Sequence, residues 1–349
     1  MAKSHFHLHN HPDNCHLRWS REIPPVLTVP SGSEITLELP DGGGNQITRE
    51  NTAAGTAVSS FDVSRADPGV GPIYIEDAEP GDVLRVDFLA IEPIADYGWT
   101  AVFPGFGLLC DDEEFVLGAG APKIFDLGRP GQEDWVADRG YVVFRAGDGK
   151  EGKEGKEGKE EIRIPYRPFL GLVGVAPAEG EHSMIPPLDT GGNIDTRSLG
   201  VGSSLYLPVK VPGALLSLGD GHAAQGDGEV CGTAIETCMR ATVRVTIEKE
   251  KKRWVKSPWV LTAERDAAVS GGREFMCLGV DSDLREATRK AVRGVVGWLE
   301  AEKALDRVDA YMLVSIAGHL RMCEVVDMPN YAIGCAVPLD IFVPLPFES

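Results

Sequence analysis

The chain has 349 residues, enough for one large or two ordinary domains around a substantial core. Its 53 acidic against 34 basic side chains leave a formal net charge of −19, which argues against the basic face that nucleic acid or an anionic membrane requires. A small neutral or cationic molecule is the favoured partner, and no apolar run approaches the roughly 20 residues of a membrane span.

The opening "MAKSHFHLHNHPDN" has no apolar stretch behind a basic end, so no secretory signal is expected. His5, His7, His9 and His11 alternate and would share one face of a strand, read as a terminal polar strand or tail more readily than as a metal binder. His16, beside "LRW", is expected in the core or at an interface. "EITLELP", "DVLRVDFLAI" and "ATVRVTIEK" each alternate apolar and polar residues, the period of half-buried strands. With 41 glycines and 24 prolines punctuating such short runs, a mainly β fold is expected, sandwich-like or duplicated, with a smaller α+β C-terminal part. Trp99, Phe103 and Phe106, in a Gly/Pro-rich stretch, read equally as a pocket wall or as core plugs.

Residues 149–160 repeat Gly-Lys-Glu, carry no apolar side chain and are read as a flexible surface insertion. They separate an N-terminal β region, 1–148, from a β region at 161–250; an α+β region, 251–349, completes the fold. In that last region "DSDLREATRKAVRGVVGWLEAEK" places Leu284, Ala287, Ala291, Val295 and Trp298 or Leu299 on one helical stripe, with Ser282 as its N-cap. A second helix is expected over "RVDAYMLVSIAG". Seven scattered cysteines, odd in number and never spaced as CxxC, fit a reduced, cytoplasmic chain.

The chemistry concentrates in "LLSLGDGHAAQGDGEVCGTAIE", residues 215–236. If its left half is extended, Asp220 and His222 project side by side from one strand, a pair that can grip a divalent metal. The glycines that follow let Asp227 and Glu229 fold back towards the same point. A Gly-Asp-Gly turn is also an ordinary hairpin device, and an Asp beside a His is often only a hydrogen-bonded pair, so both readings stand at this window. "PPLDTGGNID" adds Asp189, Asn193 and Asp195 around a glycine pair, either as a second half of a composite site or as an ordinary turn.

The stretch "PPLDTGGNIDTRSLGVGSSLYLPVKVPGALLSLGDGHAAQGDGEVCGTAIE" strongly resembles the acetamidase/formamidase family. "GPIYIEDAEPGDVLRVDFLAI", "PGFGLL" and "VVDMPNYAIGCAVPLDIF" resemble further signature stretches of it, so the likeness spans nearly the whole chain. The resemblance implies hydrolysis of formamide or a short aliphatic amide, a duplicated β fold, homo-oligomers and a divalent metal, zinc being the expected ion. Asn193, Asp195, Asp220, His222, Gln225, Asp227, Glu229 and Glu236 occupy the matching positions. His319, in "AGHLR", departs from an acid in the family pattern, which puts the substrate pocket in doubt.

Residue chemistry then divides the roles. Asp195, Asp220 and His222 are the expected metal ligands, making a bound water acidic enough to react near neutral pH. Glu229 is the expected general base, with Asp227 beside it in the catalytic set. Gln225, Asn193, Glu236 and His319 are expected to line the substrate. Two rivals remain open: a Cys231 nucleophile, although the nearest upstream lysine, Lys210, has no motif around it, and a non-catalytic sandwich whose metal is purely structural.

Overall fold

The computed structural model describes residues 5–112, 120–145, 162–249, 255–264 and 272–342. The Gly-Lys-Glu repeat, read above as a flexible insertion, lies outside them. The three alternating segments form strands Glu34–Leu39, Val83–Pro93 and Met239–Glu248, which lie side by side in one sheet. That sheet has nine strands, in the order His5–Leu8, Glu34–Leu39, Met239–Glu248, Val83–Pro93, Ser204–Pro208, Trp259–Leu261, Glu274–Asp281, Tyr331–Pro338 and His319–Glu324. Only its first pair is parallel. It therefore draws strands from all three β-bearing segments of the chain.

A second sheet of seven strands is centred on Phe169–Val175, Leu216–His222 and Gly69–Ile75. Ile35, Leu37, Val86 and Val243 of the first sheet meet Ile73, Leu170, Leu216 and Leu218 of the second in one fully buried core. Each such side chain contributes about 1.5–3 kcal/mol on burial, and this shared layer makes the two sheets a sandwich.

Strand Glu274–Asp281 has no polar face because both its sides are covered. Met276 and Leu278 join the inter-sheet core, while Phe275 and Cys277 face helix Leu284–Lys303 on the outside. The helix rides close because the strand offers Gly279, where a Cβ would lie 1.9 Å from the Ala287 carbonyl oxygen. The predicted helix is capped by Asp283 rather than Ser282, its carboxylate accepting from the Glu286 N–H. A carboxylate also suits the positive end of the helix dipole. Leu284, at the start of the predicted stripe, is 40% exposed, whereas Ala287, Ala291, Val295, Trp298 and Leu299 are buried. The second helix spans Arg307–Ala317.

Candidate metal and active site

Strand Leu216–His222 carries the centre of the site. Leu216 and Leu218 point into the core, and the same alternation then delivers Asp220 and His222 at the strand's end. Their side chains touch, with His222 Nε2 2.9 Å from Asp220 Oδ2. Glu236, bridged by its backbone to His222 and to Trp99, brings Oε2 to 3.1 Å from the same nitrogen. Glu229 Oε1 stands 4.0 Å away.

Asp195 arrives from the other acidic loop. The N–H groups of Ile194 and Asp195 both donate to the Gly171 carbonyl, which folds the loop over the neighbouring strand. Gly171 lies across from Asp220, between the paired positions Leu170–Gly221 and Leu172–Gly219. A Cβ there would sit 2.1 Å from Asp195 Oδ1 and 2.2 Å from Asp220 Oδ2, so only glycine leaves room for both carboxylates. Gly42 plays the same part from the opposite side, its absent Cβ lying 2.3 Å from Asp220 Oδ1 and 2.9 Å from Glu236 Oε2.

The backbone is held out of its relaxed state around these acids. Asp67, Asp195, Asp220 and Glu229 all have φ between 40° and 53°, in the left-handed region that non-glycine residues rarely occupy. Such conformations cost on the order of 1–3 kcal/mol each and gather where function demands them.

Asp195 and Glu229, with His222, form one group of donors within 4.8 Å of one another; Asp220 and Glu236, with His222, form another. All five residues are buried. His222 Nε2, both Asp195 carboxylate oxygens and Glu236 Oε2 have no hydrogen-bond partner, and the short His222 contacts lack hydrogen-bond geometry. Buried donors left unsatisfied are costly, and here they converge on one region. An imidazole with several carboxylates is the donor set that a borderline divalent ion such as Zn²⁺ accepts, so these residues fit the metal that the sequence implied.

The electrostatics point the same way. Burial and then the Glu229 charge push the Asp195 carboxyl well above its ordinary range. Burial followed by Glu236 does the same to Glu229. Burial raises Glu236 to about 8, against the pull of His222. Burial opposes a charge on His222, but Asp220 and Glu236 outweigh it and hold the imidazole well above its usual value. Among the described residues no lysine or arginine pairs with Asp195, Asp220, Glu229 or Glu236; a bound cation would supply what the side chains lack.

Other expected residues fall around this centre or away from it. Gln225 donates to the Asp195 carbonyl at 2.6 Å and keeps Oε1 buried without a partner. Asn193 donates to Asp327 at 2.8 Å, and its Oδ1 is likewise unpartnered. Glu236, expected along the substrate, stands beside Asp220 and His222 in one of the two groups of donors. Asp227 leaves the cluster: it is half-exposed and takes both arms of Arg197, at 2.7 and 3.0 Å. That cation reaches it from outside, whereas the cluster already gathers four carboxylates around its one imidazole. His319 opens the outer strand of the nine-stranded sheet, five residues before Glu324, and has no contact with the cluster among the described interactions. The Cys231 thiol turns to the Thr233 carbonyl at 3.4 Å and to Thr100, not to the acids.

Sequence reading missed Asp41, Asp67, Glu324 and Asp327. Asp41 is buried, accepts from the Trp99 indole at 3.1 Å, and is raised to about 6, chiefly by burial. Trp99 is thus a core plug that also holds an acid beside the site. Asp327 lies within "VVDMPN", a stretch already notable for its resemblance. Asp41 in "DGGG" repeats the acid-before-glycine pattern of the main motif.

The Acetamidase/Formamidase family profile matches this chain over residues 3–182 and 174–343. The formamidase of Methylophilus methylotrophus is 27% identical over 94% of this chain and 89% of its own. The solved acetamidase of Bacillus halodurans superposes with a TM-score of 0.79 at 29% identity, covering 96% of this chain and 98% of that one. The Yersinia enterocolitica acetamidase does so with a TM-score of 0.80 at 27% identity, covering 99% and 94%.

Proposed function

The chain belongs to the acetamidase/formamidase family, and on that premise we propose that it is an amidohydrolase that cleaves formamide or a short aliphatic amide to a carboxylate and ammonia. The observation that carries this reading is the set of buried donors without partners converging around His222. Asp195, Asp220, His222 and Glu236 would hold a divalent ion, with zinc the expected metal. When bound, such an ion supplies positive charge that acidifies water and favours a developing oxyanion.

The chain's own groups account for the rest. Glu229 is the general base: it stands at the edge of the donor set, 4.0 Å from His222 Nε2, on a backbone turned back towards the cluster. Its carboxylate takes a proton from the attacking water and returns it to the amide nitrogen, which then departs as neutral ammonia rather than as the strongly basic amide ion. A primary amide presents two N–H donors, and the unpartnered carbonyls of Gln225 and Asn193 are acceptors placed around Asp195. Burial keeps competing water out and strengthens each of these contacts. Asp227, Cys231 and His319 take no part in this reading.

The test is ammonia release from formamide and acetamide, measured as isolated, after chelation and after zinc is restored. His5, His7 and His9 are replaced by asparagine so that surface histidines do not confuse metal content. Truncation is the wrong control, because Leu8 in that strand is buried in the core. Activity lost on chelation and regained with zinc is expected. Metal-independent turnover would reopen Cys231, and no turnover would reopen a structural metal.

A further inference from the structure

Between strands Leu216–His222 and Met239–Glu248 the chain forms no further strand among the described residues, so Glu229 is placed by individual bonds rather than by a ladder. Side chains lace this segment to the Asp195 loop. Gln225 Nε2 donates to the Asp195 carbonyl at 2.6 Å. Two residues further along each segment, Arg197 grips Asp227 with both arms, at 2.7 and 3.0 Å. The pairs 195–225 and 197–227 set the two segments in step, and Glu229 is the next alternate residue of the second. Closer to Glu229, the Gly228 N–H donates to the Cys323 carbonyl at 3.2 Å, and the Gly232 N–H closes the turn onto the Glu229 carbonyl at 2.7 Å. Neither of these bonds touches the Asp195 segment. Asp195 and Glu229 both have left-handed backbones, with φ of 40° and 48°, which persist only where the surroundings hold them.

We propose that the Arg197–Asp227 ion pair is a positioning clamp that sets Glu229 at its working distance from the Asp195 side of the site. The proposal rests on the reading of Glu229 as general base. A two-pronged contact between guanidinium and carboxylate fixes angle as well as distance, which a single bond does not. The pair stands outside the buried donors, with the Arg197 and Asp227 side chains 42% and 36% exposed, and it acts through the backbone rather than on a reacting atom. Proton transfer tolerates little displacement, since a shift of about 1 Å can cost on the order of 10²-fold in rate. Gln225 keeps its own tie to Asp195, so the clamp governs turnover more than substrate binding.

Steady-state ammonia release from formamide and acetamide by the full chain tests this, with metal content measured on each sample. Arg197→Met and Asp227→Asn are each expected to lower kcat roughly 10–30-fold, while KM and metal content change by less than about twofold. Arg197→Lys keeps the charge but not the two-pronged grip, and should recover part of the lost kcat. The same substitution is then made where the base is already gone. In a Glu229→Gln background, Arg197→Met should change the residual kcat by less than about twofold, because the clamp has nothing left to position. A pair that only held the fold together would lower the rate in both backgrounds. Arg307→Met breaks a comparable pair with Glu300, between the two C-terminal helices, and should leave kcat unchanged. Wild-type kcat in both Arg197→Met and Asp227→Asn, a rise in KM alone, or equal losses with and without Glu229 would overturn the clamp while leaving the general base in place. Full activity in Glu229→Gln would overturn the base itself, and the clamp's target with it.

Discussion

Acids occur along the nine-stranded sheet and around the end of one strand of the second sheet, under opposite conditions. Along the nine-stranded sheet, Glu324 beside the site apart, acids have a base within reach: Glu34 meets Arg244 at 2.7 Å, Glu92 meets Arg240 at 3.1 Å, and Glu274 meets Arg321 at 2.6 Å. At the end of strand Leu216–His222, Asp195, Asp220, Glu229 and Glu236 meet one another and a single histidine. The first arrangement is self-sufficient. The second violates the rule that buried charges be paired, and a fold tolerates that where something from outside completes the site. Histidines repeat the contrast. His16, against Ser217 and the edge of Trp19, is lowered to about 4 by burial, while His222 among carboxylates is raised.

The sharpest break in this comparison is His222→Ala. It should cut ammonia release on the order of 10³-fold or more, and metal content measured on the purified protein should fall with it. On the paired side, Arg321→Met leaves Glu274 buried alone and is expected to cost about 3–5 kcal/mol in denaturant unfolding. Arg321→Met combined with Glu274→Met should recover most of that loss.

Gly171→Ala forces apart Asp195 and Asp220 without removing either. A 10–100-fold loss of activity is expected, the magnitude typical of disturbing groups around a metal. For His16 the unfolded state binds a proton first, because its value there is near 6.5 and the folded value is about 4. Stability therefore falls as pH drops through that window, by about 2 kcal/mol between pH 7 and pH 5, and His16→Gln should flatten the fall in urea midpoints measured at those two values. Arg240→Ala, at an exposed pair, should cost less than about 1 kcal/mol. A larger loss there would weaken the contrast drawn between the two sheets.

Local pattern was enough for the elements themselves. Alternation in "EITLELP" and "ATVRVTIEK" marks strands because one face of each is buried. The spacing from Ala287 to Leu299 marks a helix for the matching reason. Ser282 and Asp283 can both cap, so their order was beyond local reading. Asp220 and His222 were legible as neighbours because a strand sets residues two apart on one side.

The amino-acid sequence by itself thus determined a mainly β chain with an acid–histidine pair at a strand end, because period and adjacency act over a few residues. Only the tertiary structure decided which acids join that pair. Asp41, Asp67, Glu324 and Asp327 come from distant segments, whereas Asp227, two residues from Glu229, is drawn outward by Arg197. Strand pairing between remote residues and the reach of one guanidinium made that choice, and neither is written in local spacing.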